Sequence, residues 1–258
     1  MGRMPSCCRQ KLDSMILCRP MRLLLVLVAL SFLATGSHAQ TTTQQPAVAV
    51  ASDGPYESEI RAFEDADRLD PPKPGGVVFV GSSSIRLWPD LQADFPGVNV
   101  IQRGFGGAQI NQVVSYTPRI VLPYRPSLIV LYAGDNDLNA GRTPDQVFDD
   151  YKAFVTMVRK SLPNAKIAYI SIKPSGDRWA LADKMRATNS MIQKYAAREL
   201  RLIFVDVFTP MLGANGKPRE ELFTADRLHM NYDGYAIWRD LLTPIVTAAA
   251  VPIPVASH

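Results

Sequence analysis

The chain has 258 residues with 28 basic and 24 acidic side chains and a pI near 9.0. Five basic residues (Arg3, Arg9, Lys11, Arg19, Arg22) and one acidic residue (Asp13) precede Gln40, so the remainder holds 23 of each and has no formal net charge. A basic surface for nucleic acid is therefore unsupported. All three cysteines (Cys7, Cys8, Cys18) lie in the same leading stretch, which excludes disulfides, thiolate metal sites and a cysteine nucleophile from the rest.

From Met21 the chain reads Arg22, an apolar run over residues 23–30, and then Ser37-His38-Ala39 before Gln40. A positive start, a short apolar run and a small-x-small site predict a secretory signal peptide. The run is short of the roughly 20 apolar residues of a membrane span. Residues 1–39 are thus expected to be an N-terminal extension and signal peptide, with Met21 as the expected translation start. Residues 40–52, rich in Thr and Gln, read as a polar linker. Residues 53–250 form one domain and 251–258 a tail. The expected product is exported, periplasmic or secreted, with no stable membrane anchor after cleavage.

Short Val- and Ile-rich runs predict strands over 77–81, 98–102, 127–133, 166–172 and 202–207. They are apolar on both faces, as parallel strands covered on both sides require. Between them lie amphipathic segments. The clearest helix spans 143–162, with Thr143 as N-cap, Pro144 at the first helical position and Gln146 completing a capping box. Others are expected over 181–199 and over 232–246, the latter capped by Asn231. This alternation predicts an α/β fold: a three-layer α/β/α sandwich on a mainly parallel five-stranded sheet.

In such sheets functional groups gather beyond the carboxyl ends of the strands. Gly81-Ser82-Ser83-Ser84 follows the first strand, Gly104-Phe105-Gly106-Gly107 the second and Gly134-Asp135-Asn136-Asp137 the third. Asp226-Arg227-Leu228-His229 precedes the last helix. His229 is the one histidine of the expected domain, since His38 lies in the leader and His258 ends the chain. A serine hydroxyl needs a base to remove its proton as it attacks, and a neutral imidazole can do so near pH 7. A carboxylate on the other ring nitrogen fixes the tautomer and stabilises the imidazolium. Asp226 and His229, three residues apart, can meet in one turn. The oxyanion then requires preorganised donors. The backbone N–H groups of Ser83 and Gly107 and the side-chain amide of Asn136 are the candidates.

These four blocks, in this order, resemble those of the SGNH (GDSL-like) hydrolases. In layout they are most similar to the platelet-activating-factor acetylhydrolase catalytic-subunit branch and its bacterial relatives. Val80-Gly81-Ser82-Ser83-Ser84 resembles the first block, usually Gly-Asp-Ser-Leu; the Gly-Phe-Gly-Gly run, the second; Gly134-Asp135-Asn136-Asp137, Gly-x-Asn-Asp; and Asp226 to His229, Asp-x-x-His. The resemblance covers about residues 77–246. It implies a flavodoxin-like sheet, Ser83, Asp226 and His229 as catalytic residues, and Ser83, Gly107 and Asn136 as the oxyanion hole. It implies no cofactor and no metal. The expected activity is hydrolysis of a small carboxylic ester with a short acyl group, such as an acylated sugar or a lysolipid.

Ser82 and Ser84 replace the family's Asp and Leu, so Ser82 stays the second candidate nucleophile. Acyl transfer on the same residues, or non-catalytic binding of envelope glycans, are the alternative functions. An α/β-hydrolase elbow fails because Ile85 stands where a second Gly is required, and a dinucleotide fingerprint fails at Gln109. Trp238 is expected in the core; Trp179, in the loop after the fourth strand, either borders the pocket or lies away from it, the sequence favouring neither. Lys173 and Arg178 read as part of an ordinary solvated loop, with contact to an anionic group as the alternative.

Overall fold

The computed structural model describes residues 54–250. The expected leader, cleavage site, linker and tail lie outside the described residues. Five strands, β1 (Val77–Gly81), β2 (Val100–Gly104), β3 (Leu128–Tyr132), β4 (Lys166–Ile170) and β5 (Leu202–Val205), form one sheet in the order β2-β1-β3-β4-β5. Every pairing is parallel. The strands alternate between two cores. Val78, Val80, Ile129, Leu131, Ile167 and Tyr169 face one layer, while Val77, Phe79, Leu128, Val130, Ala168 and Ile170 face the other. Both faces of β1, β3 and β4 are covered, which is why these runs are almost wholly apolar rather than alternating with polar residues.

The helices are α1 (Glu57–Leu69), α2 (Ser83–Arg86), α3 (Leu91–Asp94), α4 (Ile110–Ile120), α5 (Asp135–Asn139), α6 (Pro144–Ser161), α7 (Ala182–Ala196) and α8 (Tyr232–Ala250). Ile60 of α1, Ile110 and Val113 of α4, Phe154 of α6 and Ile192 of α7 join the first core. Ile85, Leu91 and Trp238, from α2, α3 and α8, join the second. Trp238 is fully buried, as expected. The α6 capping box forms: the Gln146 N–H donates to Thr143 Oγ1 and the Thr143 N–H to Gln146 Oε1. Asn231 caps α8 by accepting the Gly234 N–H. Among the described residues no helix is long and apolar enough to cross a membrane.

β3 is one residue shorter at each end than expected, and β2, β4 and β5 differ from expectation by two residues, each for a physical reason. β2 starts and ends two residues later because Arg103, polar yet buried, belongs to it. Its guanidinium pairs with Asp67 and lies over the Phe63 and Tyr124 rings. β4 stops at Ile170 because the Ile172 backbone bonds the Asn189 side chain instead of a strand. β5 stops at Val205 because the Val207 and Phe208 N–H groups turn to Ser171 Oγ. Helix α1, absent from the expected elements, packs on α4. There Arg119 holds both Glu57 and Glu64.

Candidate active site

β1 ends at Gly81, whose φ is +143°. A Cβ there would lie 1.8 Å from the Tyr132 carbonyl oxygen, so only glycine lets β1 run this close to β3 as it turns. The turn starts α2 at Ser83. Ser82 points inward, 1% exposed, and its hydroxyl has no partner. Ser83 faces His229, with Oγ 3.0 Å from Nε2. Of the two candidate serines, the structure brings Ser83 to the imidazole.

The His229 ring is held from its other side by Asp226, with Oδ2 2.6 Å from Nδ1. Asp226 Oδ1 accepts the Thr224 hydroxyl and the Leu228 and His229 backbone N–H groups. A three-residue spacing therefore brings both groups together through a side-chain-capped turn. Arg227 at its centre takes the left-handed conformation, φ 57°. Desolvation lifts the Asp226 pKa, but these hydrogen bonds outweigh it and hold the carboxyl well below the ordinary range. Asp226 thus stays a carboxylate at any pH where the imidazole can serve as a base.

The expected oxyanion donors come from three adjacent strand ends. Ser83 is the first residue of α2, where a backbone N–H has no acceptor within the helix. Gly107 sits at φ +75°, and its N–H has no acceptor among the described residues. Asn136 donates one amide proton to the Ala108 carbonyl oxygen at 3.1 Å. That bond orients the amide and leaves its second proton for a ligand. Asp137 ties the same two loops together by accepting the Ile110 N–H at the start of α4. Burial pushes its carboxyl up to about 6, with the Ile110 N–H pulling the other way.

Ser83, Gly107, Asn136 and His229 line one cleft of about 630 Å³. Ser58, Glu59, Gly106, Arg86, Arg178 and Leu228 complete its wall. Sequence reasoning missed Ser58 and Glu59 because it missed α1. The signal present was Ile60 and Phe63 at helical spacing, with acids in the first turn and Arg68 in the last. Glu59 accepts the Gly106 N–H at 3.2 Å and pairs loosely with Arg86 at 3.9 Å. Trp179 packs against the first core beneath Arg186 and is not part of the cleft wall.

The solvated-loop reading of Lys173 and Arg178 is overturned. Lys173 is 1% exposed and Arg178 keeps only 10% of its side-chain exposure. Their loop turns inward because Asp135, itself buried, draws both cations: its Oδ2 lies 3.6 Å from Lys173 Nζ and 3.1 Å from Arg178 Nη1. Burial pushes the Lys173 ammonium pKa down, and Asp135 partly restores it. The same loop is stitched to the histidine turn by the Asp177 N–H donating to the Arg227 carbonyl oxygen.

This geometry is accompanied by similarity to known proteins. The GDSL-like Lipase/Acylhydrolase family matches residues 75–237. Platelet-activating factor acetylhydrolase IB subunit alpha1 from Bos taurus is 27% identical over 210 residues, covering 78% of this chain and 86% of that protein. A GDSL-like lipase from Bacteroides thetaiotaomicron superposes with a TM-score of 0.63 at 22% identity, covering 74% of this chain and 98% of the other. A carbohydrate esterase family 3 protein from Talaromyces cellulolyticus superposes with a TM-score of 0.54 at 17% identity, covering 67% and 97%. These two likenesses show the shared three-layer fold. The family match spans more than half of the chain and all four sequence blocks, and the chain belongs to the GDSL-like lipase/acylhydrolase family as a carboxylic ester hydrolase.

Proposed function

We propose that this hydrolase is exported and cleaves esters of short acyl groups through a Ser83–His229–Asp226 relay. The observation that carries the reading is the unbroken contact from Ser83 Oγ to His229 Nε2 at 3.0 Å and from Nδ1 to Asp226 at 2.6 Å. Ser83 attacks the ester carbonyl while His229 takes its proton, and Asp226 stabilises the imidazolium that forms. The N–H groups of Ser83 and Gly107 and the free Asn136 proton receive the oxyanion. His229 then protonates the departing alcohol. It next deprotonates a water molecule, which releases the acid from Ser83.

A short acyl group is favoured by the cleft wall, where Leu228 is the one aliphatic side chain among the described residues. A long chain would find little apolar surface to cover it. The name of the acetylhydrolase relatives agrees with a small acyl group. Acylated sugars and lysolipids are the substrates to survey. Turnover of 4-nitrophenyl esters is expected to be best from acetate to butyrate and to fall at least about 10-fold by octanoate. A fluorophosphonate probe is expected to label the wild type and not Ser83→Ala. Equal labelling of both would remove Ser83 as the nucleophile, and a preference for octanoate would remove the short-acyl assignment. Export predicts a mature N-terminus at Gln40; retention of residues 23–33 in protein recovered from the producing cells contradicts it.

A further inference from the structure

The cleft beside Ser83 holds a cation that its surroundings do not satisfy. Arg178 lines the same wall as Ser83, Asn136 and His229. Its Nε and Nη1 are enclosed and make no hydrogen bond. Its Nη2 makes none either and is not among the enclosed atoms, so it is the nitrogen open to the cleft. Two carboxylates lie near the guanidinium. Asp177 is 4.0 Å from Nε and half exposed, which makes it a weak, solvent-screened partner. Asp135 Oδ2 is 3.1 Å from Nη1, but Lys173 shares that oxygen, and Asp135 Oδ1 already accepts the Asn136 N–H. One buried carboxylate thus faces two buried cations.

The other charges of the wall are engaged. Glu59 and Arg86 face one another, and Asp226 is committed to His229 and its own turn. A buried guanidinium with unused donors is costly unless something pairs with it. The planar fork suits a pair of anionic oxygens. We infer that Arg178 is the anion-binding residue of this cleft, and that the ester cleaved here carries a carboxylate or phosphate within reach of its guanidinium. The inference rests on the serine-esterase reading above and names the substrate class for it.

The test compares 4-nitrophenyl pentanoate with the 4-nitrophenyl monoester of glutaric acid, in which a carboxylate replaces the terminal methyl. Wild type is expected to favour the charged ester by about 10-fold in kcat/KM, the scale of one charge-assisted contact. Arg178→Gln is expected to lose at least about 10-fold more on the charged ester than on the neutral one, mainly through KM, and Arg178→Lys to recover part of the loss. Free glutarate and inorganic phosphate, tested as competitive inhibitors of pentanoate turnover, distinguish the two anions.

A wild type that prefers the neutral ester and is inhibited by neither anion overturns the inference. So does an equal loss on both esters in Arg178→Gln, which would leave Arg178 with only a scaffold role under Asn136. If Arg178→Gln does not fold, the wild-type preference and Arg178→Lys decide. Ser83→Ala on the neutral ester separates the two readings. Turnover independent of Ser83 sinks the esterase mechanism itself. Ser83-dependent turnover without charge preference sinks only the role of Arg178.

Discussion

His229→Ala is expected to lower kcat on 4-nitrophenyl acetate by about 10⁴- to 10⁶-fold, with Ser83→Ala equally impaired and the double variant no worse than either. The two side chains share one proton in one step. Once either is gone, the other has nothing to accept from or donate to, so their effects do not add. Residual turnover then reflects the oxyanion donors and binding alone, which both variants keep. Neither change touches a core: Ser83 and His229 are both partly exposed, so thermal stability is expected to stay near that of the wild type. Steady-state kinetics of the three variants beside thermal melts provide the measurement. A His229→Ala enzyme within about 10-fold of wild type would rule out the relay.

Asp226→Asn is expected to cost about 10⁴-fold in kcat while leaving the turn standing. The amide oxygen can still accept from Thr224, Leu228 and His229, the three bonds that build the turn. The change falls on the second oxygen, 2.6 Å from Nδ1, which becomes an NH2 donor. The imidazole must then offer Nδ1 as an acceptor, which moves its proton to Nε2. There it faces Ser83 Oγ and blocks acceptance of the serine proton. The loss is thus one of tautomer, and raising the pH is not expected to restore it. Retention of activity within about 10-fold would show that the carboxylate only shapes the turn.

Much of this molecule is legible in its sequence, for reasons that particular residues make plain. The sheet is readable because runs such as Val77-Val78-Phe79-Val80 are buried on both faces, which leaves no polar alternation to misread. Asp226 and His229 are readable because their contact is local, closed within one turn. Helix α1 is not, because it buries only Ile60 fully and its polar ties run to residues distant in the chain, from Glu57 and Glu64 to Arg119, from Asp67 to Arg103 and from Glu59 to Gly106. Arg103 conceals the end of β2 for the same reason, since its counter-ion Asp67 is 36 residues earlier. Lys173 and Arg178 look like solvent-facing residues until Asp135 is placed between them. Long-range charge pairing leaves no periodicity, so its consequences emerge only once the chain is folded.

The proposed nucleophile and oxyanion donors follow β1, β2 and β3, which lie side by side with Gly81 opposite both Gly104 and Tyr132. Interstrand hydrogen bonding repeats at about 4.8 Å whatever side chains the strands carry. The sheet therefore acts as a ruler: the spacing of the strand ends from which the serine and the donors project is inherited from backbone geometry before any ester arrives. Arg178 follows β4, one strand farther out. Its loop is tied to that ruler at two points, through Asp135, which also accepts the Asn136 N–H, and through the Arg227 carbonyl of the histidine turn, which accepts the Asp177 N–H. Under the proposed mechanism, chemistry and choice of ester are carried on neighbouring strands that share one buried carboxylate, so a change of charge in the Arg178 loop is felt at Asn136 as well.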